Sequence, residues 1–286
     1  MKIMNPQAAE FYKEHGIDLK EQRLEIAVCA QHNNGGLSVD CWWETNVRNL
    51  FAVGEASGTH GIKRPGGSAL NSGQTGALRA SQRILQRCRQ AYGESGKWER
   101  EPEIEEELLK EAELFLETME YGSGEKLLED AWIRAQKEMS ASGGMIRSYD
   151  SLLKRYKETE EELKQFPEGL KIISKSQRSL LFHYRELLLA QRAYTYAMLD
   201  YMEHGGKSRG SALYTDPEGK KPLEQLPELF RCRRDQGEHS HLIQEMCMVH
   251  GECNAWWRPV RKIPRTDLFF ENVWREFRQR NYLIKK

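Results

Sequence analysis

Glu55 is the first residue whose type and position could carry chemistry. It follows the short apolar run at 50–53 and Gly54, so its carboxylate is expected just past the carboxyl end of a buried strand. Ligands of open α/β sheets bind at such strand ends, where a carboxylate commonly accepts hydrogen bonds from ribose or ribityl hydroxyls. This position therefore predicts contact with the sugar part of a ligand.

A glycine loop that runs into a helix is the second such feature. The loop reads Arg64-Pro65-Gly66-Gly67, and the helix opens with Ser68-Ala69-Leu70. Paired glycines let a backbone approach a flat ligand, and a helix N-terminus offers N–H groups and a partial positive charge. The residues indicate a site for a flat or anionic group, and they leave open a plain glycine loop with a serine cap.

The elements that must position these groups change character along the chain. Residues 1–93 are typical of strands and turns followed by one helix, with strands predicted at 24–29, 37–43 and 50–53. Residues 94–206 carry the pattern of four amphipathic helices, which predicts an antiparallel bundle. Residues 207–286 are expected to form a linker and an extension with a strand at 242–249. We therefore expect a mainly helical α+β fold with domain boundaries near 93 and 206.

Composition excludes some classes of function. The 43 basic and 43 acidic residues give a formal net charge of zero, which argues against a general nucleic-acid binder. No apolar run approaches the roughly 18–20 residues of a membrane span. Six cysteines without an export signal are expected to be reduced thiols in the cytoplasm.

The zero net charge hides an uneven distribution. Residues 94–130 carry 14 acids and 4 bases, and residues 231–286 carry 12 bases and 7 acids. A run of charge is usually a solvated helix face, which is the interpretation that we favour for the acidic region. The two regions could also face one another, within the chain or across a partner.

The C-terminal region holds two weaker signals. Cys247, His250 and Cys253 have spacings that could suit zinc, but a strand at 242–249 would place Cys247 and His250 on opposite faces. Ordinary thiols and a surface histidine are favoured, and no metal site is predicted. The Trp256-Trp257 pair beside basic residues could stack nucleobases, but packing against the protein body is favoured because the chain is neutral.

Three motifs, taken in order, carry a family resemblance. They are Gln31-His32-Asn33-Asn34-Gly35-Gly36-Leu37, Leu50-Phe51-Ala52-Val53-Gly54-Glu55 and Gly61-Ile62-Lys63-Arg64-Pro65-Gly66-Gly67-Ser68-Ala69-Leu70. Their order and spacing resemble the closing part of the FAD domain in the succinate dehydrogenase/fumarate reductase flavoprotein family. That family includes L-aspartate oxidase and the flavoprotein subunit of adenylylsulfate reductase. The helical region and Ser208-Arg209-Gly210-Ser211 resemble the C-terminal helical domain of the same family.

The resemblance implies roles for eight residues. Glu55 matches the acidic FAD ligand, and the residues at the flavin ring are Gly67, Ser68, Ala69 and Leu70. Arg64 matches the arginine that binds the substrate carboxylate, a bidentate task that suits a guanidinium. Gln31 and His32 match neighbouring positions on the substrate side. Arg64, His32 and Gln31 are therefore the expected catalytic residues, acting on a small polar or anionic substrate.

The resemblance also has implications for partners. A G-x-G-x-x-G fingerprint and the family's capping domain, both expected upstream, are absent from this sequence. Residues 1–93 are therefore expected to be the C-terminal part of an FAD-binding domain, inactive without its N-terminal FAD and capping portion. An iron–sulfur redox subunit is a further candidate partner. The alternative is a non-enzymatic helical assembly module that docks another redox subunit.

Overall fold

The computed structural model describes residues 5–24, 32–61, 64, 66–93, 102–121, 124–210, 212–249, 251–260, 274–275 and 277–279. The chain divides into two compact units, residues 1–32 and residues 33–286. In the first unit, helix α1 (Pro6–Glu14) begins with a proline, and the Asn5 side chain accepts the Ala8 N–H at 3.1 Å. Both features are typical of a helix start, because Pro tolerates the first turn and Asn satisfies a free amide.

The second unit opens with irregular chain rather than with the predicted strands. Residues 37–43 form neither a strand nor a bridge, and residues 50–53 carry one isolated bridge, between Phe51 and Glu44. Trp43 and Asn49 have φ values of 63° and 67°, so the chain turns where a ladder would have to continue. The strand predictions at 37–43 and 50–53 are therefore wrong, and most of the one at 24–29 lies outside the described residues.

Five helices follow among the described residues of this unit: α2 (Ser68–Gly93), α3 (Pro102–Tyr121), α4 (Leu128–Gly143), α5 (Tyr149–Lys164) and α6 (Arg178–Glu203). Helices α4, α5 and α6 pack on one another. The largest buried cluster lies between α4, α6 and the chain near Leu170: Leu128, Ala131, Ala135, Leu170, Leu181, Tyr184 and Leu188. The mainly helical α+β fold is confirmed, with these helices where the apolar periodicity predicts them.

Helix α3 differs from its expected role in the bundle. Leu108, on the apolar stripe of this helix, is 59% exposed, and Leu109 beside it is 62% exposed. The helix carries eight glutamates against one lysine, and Glu111 forms an ion pair with Arg185 of α6. A helix so rich in like charge keeps much of its surface in water, as favoured from the sequence for this acidic region.

Strands within the described ranges tie the helices together. β1 (Lys126–Leu127) pairs in parallel with β3 (Leu170–Lys171), and β2 (Ile146–Arg147) pairs in parallel with β4 (Leu213–Tyr214). The antiparallel hairpin of β5 (Leu242–Val249) and β6 (Glu252–Pro259) confirms the strand predicted at 242–249. No helix in those ranges combines the length and apolar character needed to span a membrane.

The hairpin is joined to α6 through a buried carboxylate. Asp200 is 8% exposed and accepts hydrogen bonds from Gln244 Nε2 at 2.7 Å and Trp257 Nε1 at 2.9 Å. Trp257 is thus a packing residue of the hairpin, as favoured from the sequence. Both bonds go to a charged acceptor, which makes them stronger than bonds between neutral groups.

Candidate functional site

Glu55 lies in a short 3₁₀ turn, Gly54–Ala56. The turn begins at Gly54 with φ of 71°, a conformation that favours glycine. The exposed Glu55 carboxylate accepts the backbone N–H of Asn33 at 2.8 Å. It therefore presents oxygen acceptors at the surface, and the Asn33 N–H helps to fix its direction.

The loop that contains Asn33 is held against this turn by a close backbone contact. Leu37 N–H donates to Ala56 O at 2.7 Å. A Cβ atom on Gly36 would lie 2.4 Å from both Ala56 O and Gly58 N, and one on Gly58 would lie 2.7 Å from Gly36 N. Only glycines allow the two segments to touch in this way, which explains the glycine of the first motif in physical terms.

Tyr194 of α6 supports the same loop. Its hydroxyl oxygen accepts a hydrogen bond from Asn33 Nδ2 at 3.2 Å. The bond is exposed, so it orients the loop more than it stabilises the fold. The periodicity of α6 indicates a packing role for its tyrosines, so sequence reasoning missed this contact with the candidate site.

Helix α2 approaches the turn that carries Glu55. A Cβ atom on Gly73 would lie 3.5 Å from the Gly54 Cα, and the hydroxyls of Ser72 and Thr59 lie 3.1 Å apart. The amides of Ser68, Ala69 and Leu70 belong to the first turn of a helix, where N–H groups have no partner inside the helix. Positive potential and amide donors are therefore placed at the same end of the site as the carboxylate.

Space for a ligand exists at the start of α2. A Cβ atom added to Gly66 or Gly67 would meet nothing within 4 Å, and Gly67 has φ of 80°. A flavin nucleotide requires acceptors for its hydroxyls and donors for its ring oxygens. The exposed carboxylate supplies acceptors, the helix-end amides supply donors, and the glycine surface is open. The described residues therefore fit the group that the resemblance implies, and their cofactor roles stay predictions.

Arg64 lies on the loop before α2 and is half-buried. Its Nη1 atom donates to Asn34 Oδ1 and to Gly61 O, each at 2.9 Å. The guanidinium is thus held by the first motif, the motif that also holds Glu55. The resemblance assigns Arg64 to substrate binding, and this role also stays a prediction.

The catalytic roles of the other two residues, Gln31 and His32, stay predictions. Gln31 lies outside the described residues. His32 is half-buried and is the last residue of the first unit. The sequence assigns no role to Asn34, although it lies inside the first motif.

A cluster of aromatic and charged side chains fixes α2 on its loop. Trp42 is 5% exposed, and the Arg79 guanidinium lies 4.6 Å from its ring centroid. Glu44, 7% exposed, forms an ion pair with Arg87 of α2. The hydrogen bonds from Arg87 hold the pKa of the Glu44 carboxyl below its usual range, against the opposing effect of burial.

The cysteine-rich hairpin does not form a comparable site in its described part. Cys247 pairs with Asn254 and Cys253 with Met248, so the two thiols project from opposite faces of the ladder. His250 lies outside the described residues. No group of three metal-binding side chains occurs within the part of the chain that the structure describes.

Comparisons with known proteins support the resemblance over part of the chain. A fumarate reductase (CoM/CoB) subunit from Methanothermobacter marburgensis is 46% identical over 66 residues, which are 23% of this chain and 12% of that protein. An FAD-dependent oxidoreductase of Methanocaldococcus jannaschii is 43% identical over 56 residues, 19% of this chain and 10% of that protein. The chain thus covers only a small part of the length of these relatives.

The fold match extends much further than the sequence match. E. coli quinol fumarate reductase FrdA, in an E245Q mutant structure, matches with a TM-score of 0.64 and 17% identity, over 93% of this chain and 44% of that chain. No family model matches the sequence. About a quarter of the chain is thus similar in sequence to the FAD-dependent succinate dehydrogenase/fumarate reductase flavoproteins, and nearly all of it has the fold of one of them.

Proposed function

We propose that this chain is the C-terminal portion of an FAD-dependent oxidoreductase and contributes the flavin-ring and substrate side of its active site. One observation carries the proposal. Two adjacent asparagines hold Glu55 and Arg64. The Asn33 N–H donates to the Glu55 carboxylate at 2.8 Å, and Asn34 Oδ1 accepts a hydrogen bond from Arg64 Nη1 at 2.9 Å. The two side chains that the resemblance assigns to cofactor and substrate are therefore fixed by one loop.

The chain's own residues would bind and orient in this reaction. Bound FAD supplies the hydride exchange, which is chemistry of the cofactor itself. Glu55 accepts hydrogen bonds from ligand hydroxyls, and the first-turn amides of Ser68, Ala69 and Leu70 stabilise negative charge near the start of α2. Arg64 orients an anionic group of the substrate.

A small polar or anionic molecule is the proposed substrate. The printed name of the M. marburgensis relative refers to fumarate, a small carboxylate. A half-buried guanidinium suits such a group because its planar N–H pairs match the geometry of a carboxylate. Gln31 and His32 are proposed to lie on the substrate side with Arg64.

Helix α2 offers a surface for the rest of the flavoprotein. One face packs against residues 33–61, with Gly76 and Ala80 buried. The other face exposes large apolar side chains: Leu70 at 70%, Leu78 at 51%, Ile84 at 44% and Leu85 at 50%. We propose that this outer face packs against the N-terminal FAD and capping portion. The match covers only 44% of the FrdA chain, so the rest of that chain is long enough to include such a portion.

A redox protein is the proposed electron partner, and an iron–sulfur subunit is the candidate. The acidic helix α3, with exposed Leu108, Leu109 and Leu114, offers a docking surface for it.

The domain boundaries near 93 and 206 and the cytoplasmic location belong to the same proposal. Free thiols at Cys41, Cys88, Cys232, Cys247 and Cys253 support a reducing compartment.

The decisive experiment is affinity purification of the tagged chain from its native host, together with everything bound to it. We expect a stoichiometric flavin spectrum and FAD released on denaturation. Glu55→Ala should lower the ratio of flavin to protein several-fold, because charged acceptors make the stronger hydrogen bonds.

Glu218→Ala is the matched control, since that side chain is 80% exposed and should leave flavin content unchanged. A native complex of the unmodified chain without flavin would refute the proposed function. Equal flavin content in the two variants would remove Glu55 from cofactor binding.

A further inference from the structure

Arg64 is held at one corner of its guanidinium. Both hydrogen bonds of the group, to Asn34 Oδ1 and to Gly61 O, start from Nη1 at 2.9 Å. Since Nη1 carries two hydrogens, these acceptors use both of them. Rotation about the Nε–Cζ bond would break both bonds together.

The remaining edge of the guanidinium points away from these partners. Among the residues that the structure describes, none accepts a hydrogen bond from Arg64 Nε or Nη2. The Nε–Nη2 edge is one of the two pairs of parallel donors with which arginine binds a carboxylate. A planar anion could therefore dock on this edge without displacing the existing bonds.

Asn34 is suited to holding this geometry. Its backbone φ is 57°, a left-handed conformation that asparagine adopts more readily than most residues. Its amide oxygen is neutral, so it restrains the guanidinium without cancelling the positive charge that would attract an anion. An aspartate would restrain and neutralise Arg64 together.

We propose that Asn34 is a positioning residue for Arg64: its side-chain oxygen fixes the guanidinium so that the Nε–Nη2 edge is presented to an anionic substrate. This inference rests on the proposed function for the presence of that substrate. The positioning itself is a property of the chain and can be tested without flavin.

The structure contains a matched control. Asn49 also has a left-handed backbone, with φ of 67°, and its Oδ1 accepts a hydrogen bond from Arg87 Nη1 at 2.9 Å. Asn34→Gly and Asn49→Gly therefore remove the same type of bond at positions where glycine is not strained. The Asn49–Arg87 pair belongs to the cluster that fixes α2 on its loop, and it lies outside the candidate site.

The first test measures guanidinium rotation in the 286-residue chain by nitrogen-15 NMR of the arginine side chains. Asn34→Gly should speed rotation of Arg64 several-fold and leave Arg87 unchanged, and Asn49→Gly should not affect Arg64. Asn34→Asp keeps an acceptor and should retain slow rotation. Equal rotation rates of Arg64 in the unmodified chain and in Asn34→Gly would overturn the inference.

The second test uses the flavin-loaded native complex with fumarate as the probe. Asn34→Gly should raise KM about tenfold with a smaller change in kcat, since one hydrogen bond to a charged group is lost from positioning. An unchanged KM at normal flavin content would overturn the inference. A native complex that holds no flavin contradicts the proposed function, and one that does not turn over fumarate excludes fumarate alone as the substrate. In both cases the NMR result decides the role of Asn34.

Discussion

Glu44 and Arg87 form a two-point ion pair that joins the irregular chain at 40–52 to helix α2. Arg87 Nη1 lies 2.5 Å from Oε1 and Nη2 lies 2.7 Å from Oε2. The same carboxylate accepts the Asn49 N–H at 2.9 Å. The helix whose N-terminus faces the candidate site is thus anchored about five turns away, near its other end.

Replacement of this carboxylate should loosen α2. Glu44→Gln is expected to lower the free energy of unfolding by about 2 kcal/mol, because a buried hydrogen-bonded charge pair is broken. Urea unfolding followed by tryptophan fluorescence measures it. Glu106→Gln, in a pair with Lys110 whose side chains are 69% and 71% exposed, should change the same quantity by less than about 0.5 kcal/mol. Equal effects of the two variants would contradict the anchoring role.

The same pair predicts a dependence of stability on pH. The folded pKa of Glu44 is lowered, so the unfolded chain binds more protons there as pH falls. The stabilisation is complete above the unfolded pKa of about 4.3 and is lost as pH falls through the folded pKa. Unfolding at pH 3 to 6 should show a smaller decline for Glu44→Gln than for the unmodified chain, and parallel curves would contradict the assignment.

The close contact of Gly36 with the chain at 56–58 gives a third prediction. Gly36→Ala places a methyl group 2.4 Å from Ala56 O and should destabilise the second unit by about 1–3 kcal/mol, the usual cost of overpacking. Gly35→Ala is the control, since its nearest neighbour would be Asn33 Nδ2 at 3.7 Å. A comparison of urea midpoints checks it. A midpoint for Gly36→Ala that matches the control would show that the segments separate easily.

Tyr194→Phe should affect the loop without affecting the helix that carries it. Loss of the bond to Asn33 Nδ2 is expected to speed amide hydrogen exchange at 33–37, while exchange in α6 stays unchanged. Tyr149→Phe is the control, because it removes an exposed tyrosine hydrogen bond at a different place on α6. In that bond the Tyr149 hydroxyl donates to Glu203, near the end of α6, at 2.6 Å. Unchanged exchange at 33–37 would remove Tyr194 from the support of the site.

Arg155 and Arg192 are buried in the described helical region, and Arg155 has a side-chain partner that can be removed. Arg155 is 1% exposed, and its Nε and Nη2 atoms donate to Gln191 Oε1 at 3.0 and 2.7 Å. Gln191→Leu should lower the free energy of unfolding by about 3 kcal/mol, because a buried charge loses a partner. Lys154→Met, at a 70% exposed side chain, should change it by less than about 0.5 kcal/mol. A change below about 1 kcal/mol for Gln191→Leu would show that Glu158 and Glu162 satisfy Arg155 without Gln191.

Alkaline titration should single out Tyr184. Burial raises its pKa to about 12, while the unfolded value is about 10. Between these values the unfolded chain binds fewer protons, so stability falls as pH rises. The difference in phenolate absorbance between the unmodified chain and Tyr184→Phe should appear near pH 12. A difference that develops near pH 10 would contradict burial of this hydroxyl.

The sequence is most informative where the physics is local. The ends of α2 and α6 follow from apolar periodicity and from glycines, so both helices are found where they are predicted. The motif around Glu55 is interpreted less well, because it predicts a buried strand before the carboxylate where the structure has only a short 3₁₀ turn, Gly54–Ala56.

The errors arise where distant chain decides the outcome. The run at 50–53 is apolar enough for a buried strand, yet Leu50 and Val53 are 48% and 38% exposed. Strand pairing depends on partners elsewhere, and two left-handed residues interrupt it here. The roles of Asn34 and Tyr194 also depend on contacts across 30 and 161 residues, which no local pattern encodes.

The crossing of Gly36 and Gly58 has a consequence for how such a site can evolve. Because the backbones meet without an intervening side chain, no rotamer or core substitution can adjust the distance between the asparagine loop and the Glu55 turn. A new specificity must then come from substituted side chains, while the distance between the two backbone segments stays constant. The side chains at positions 33 and 34 can change while the spacing between the asparagine loop and the Glu55 turn stays the same.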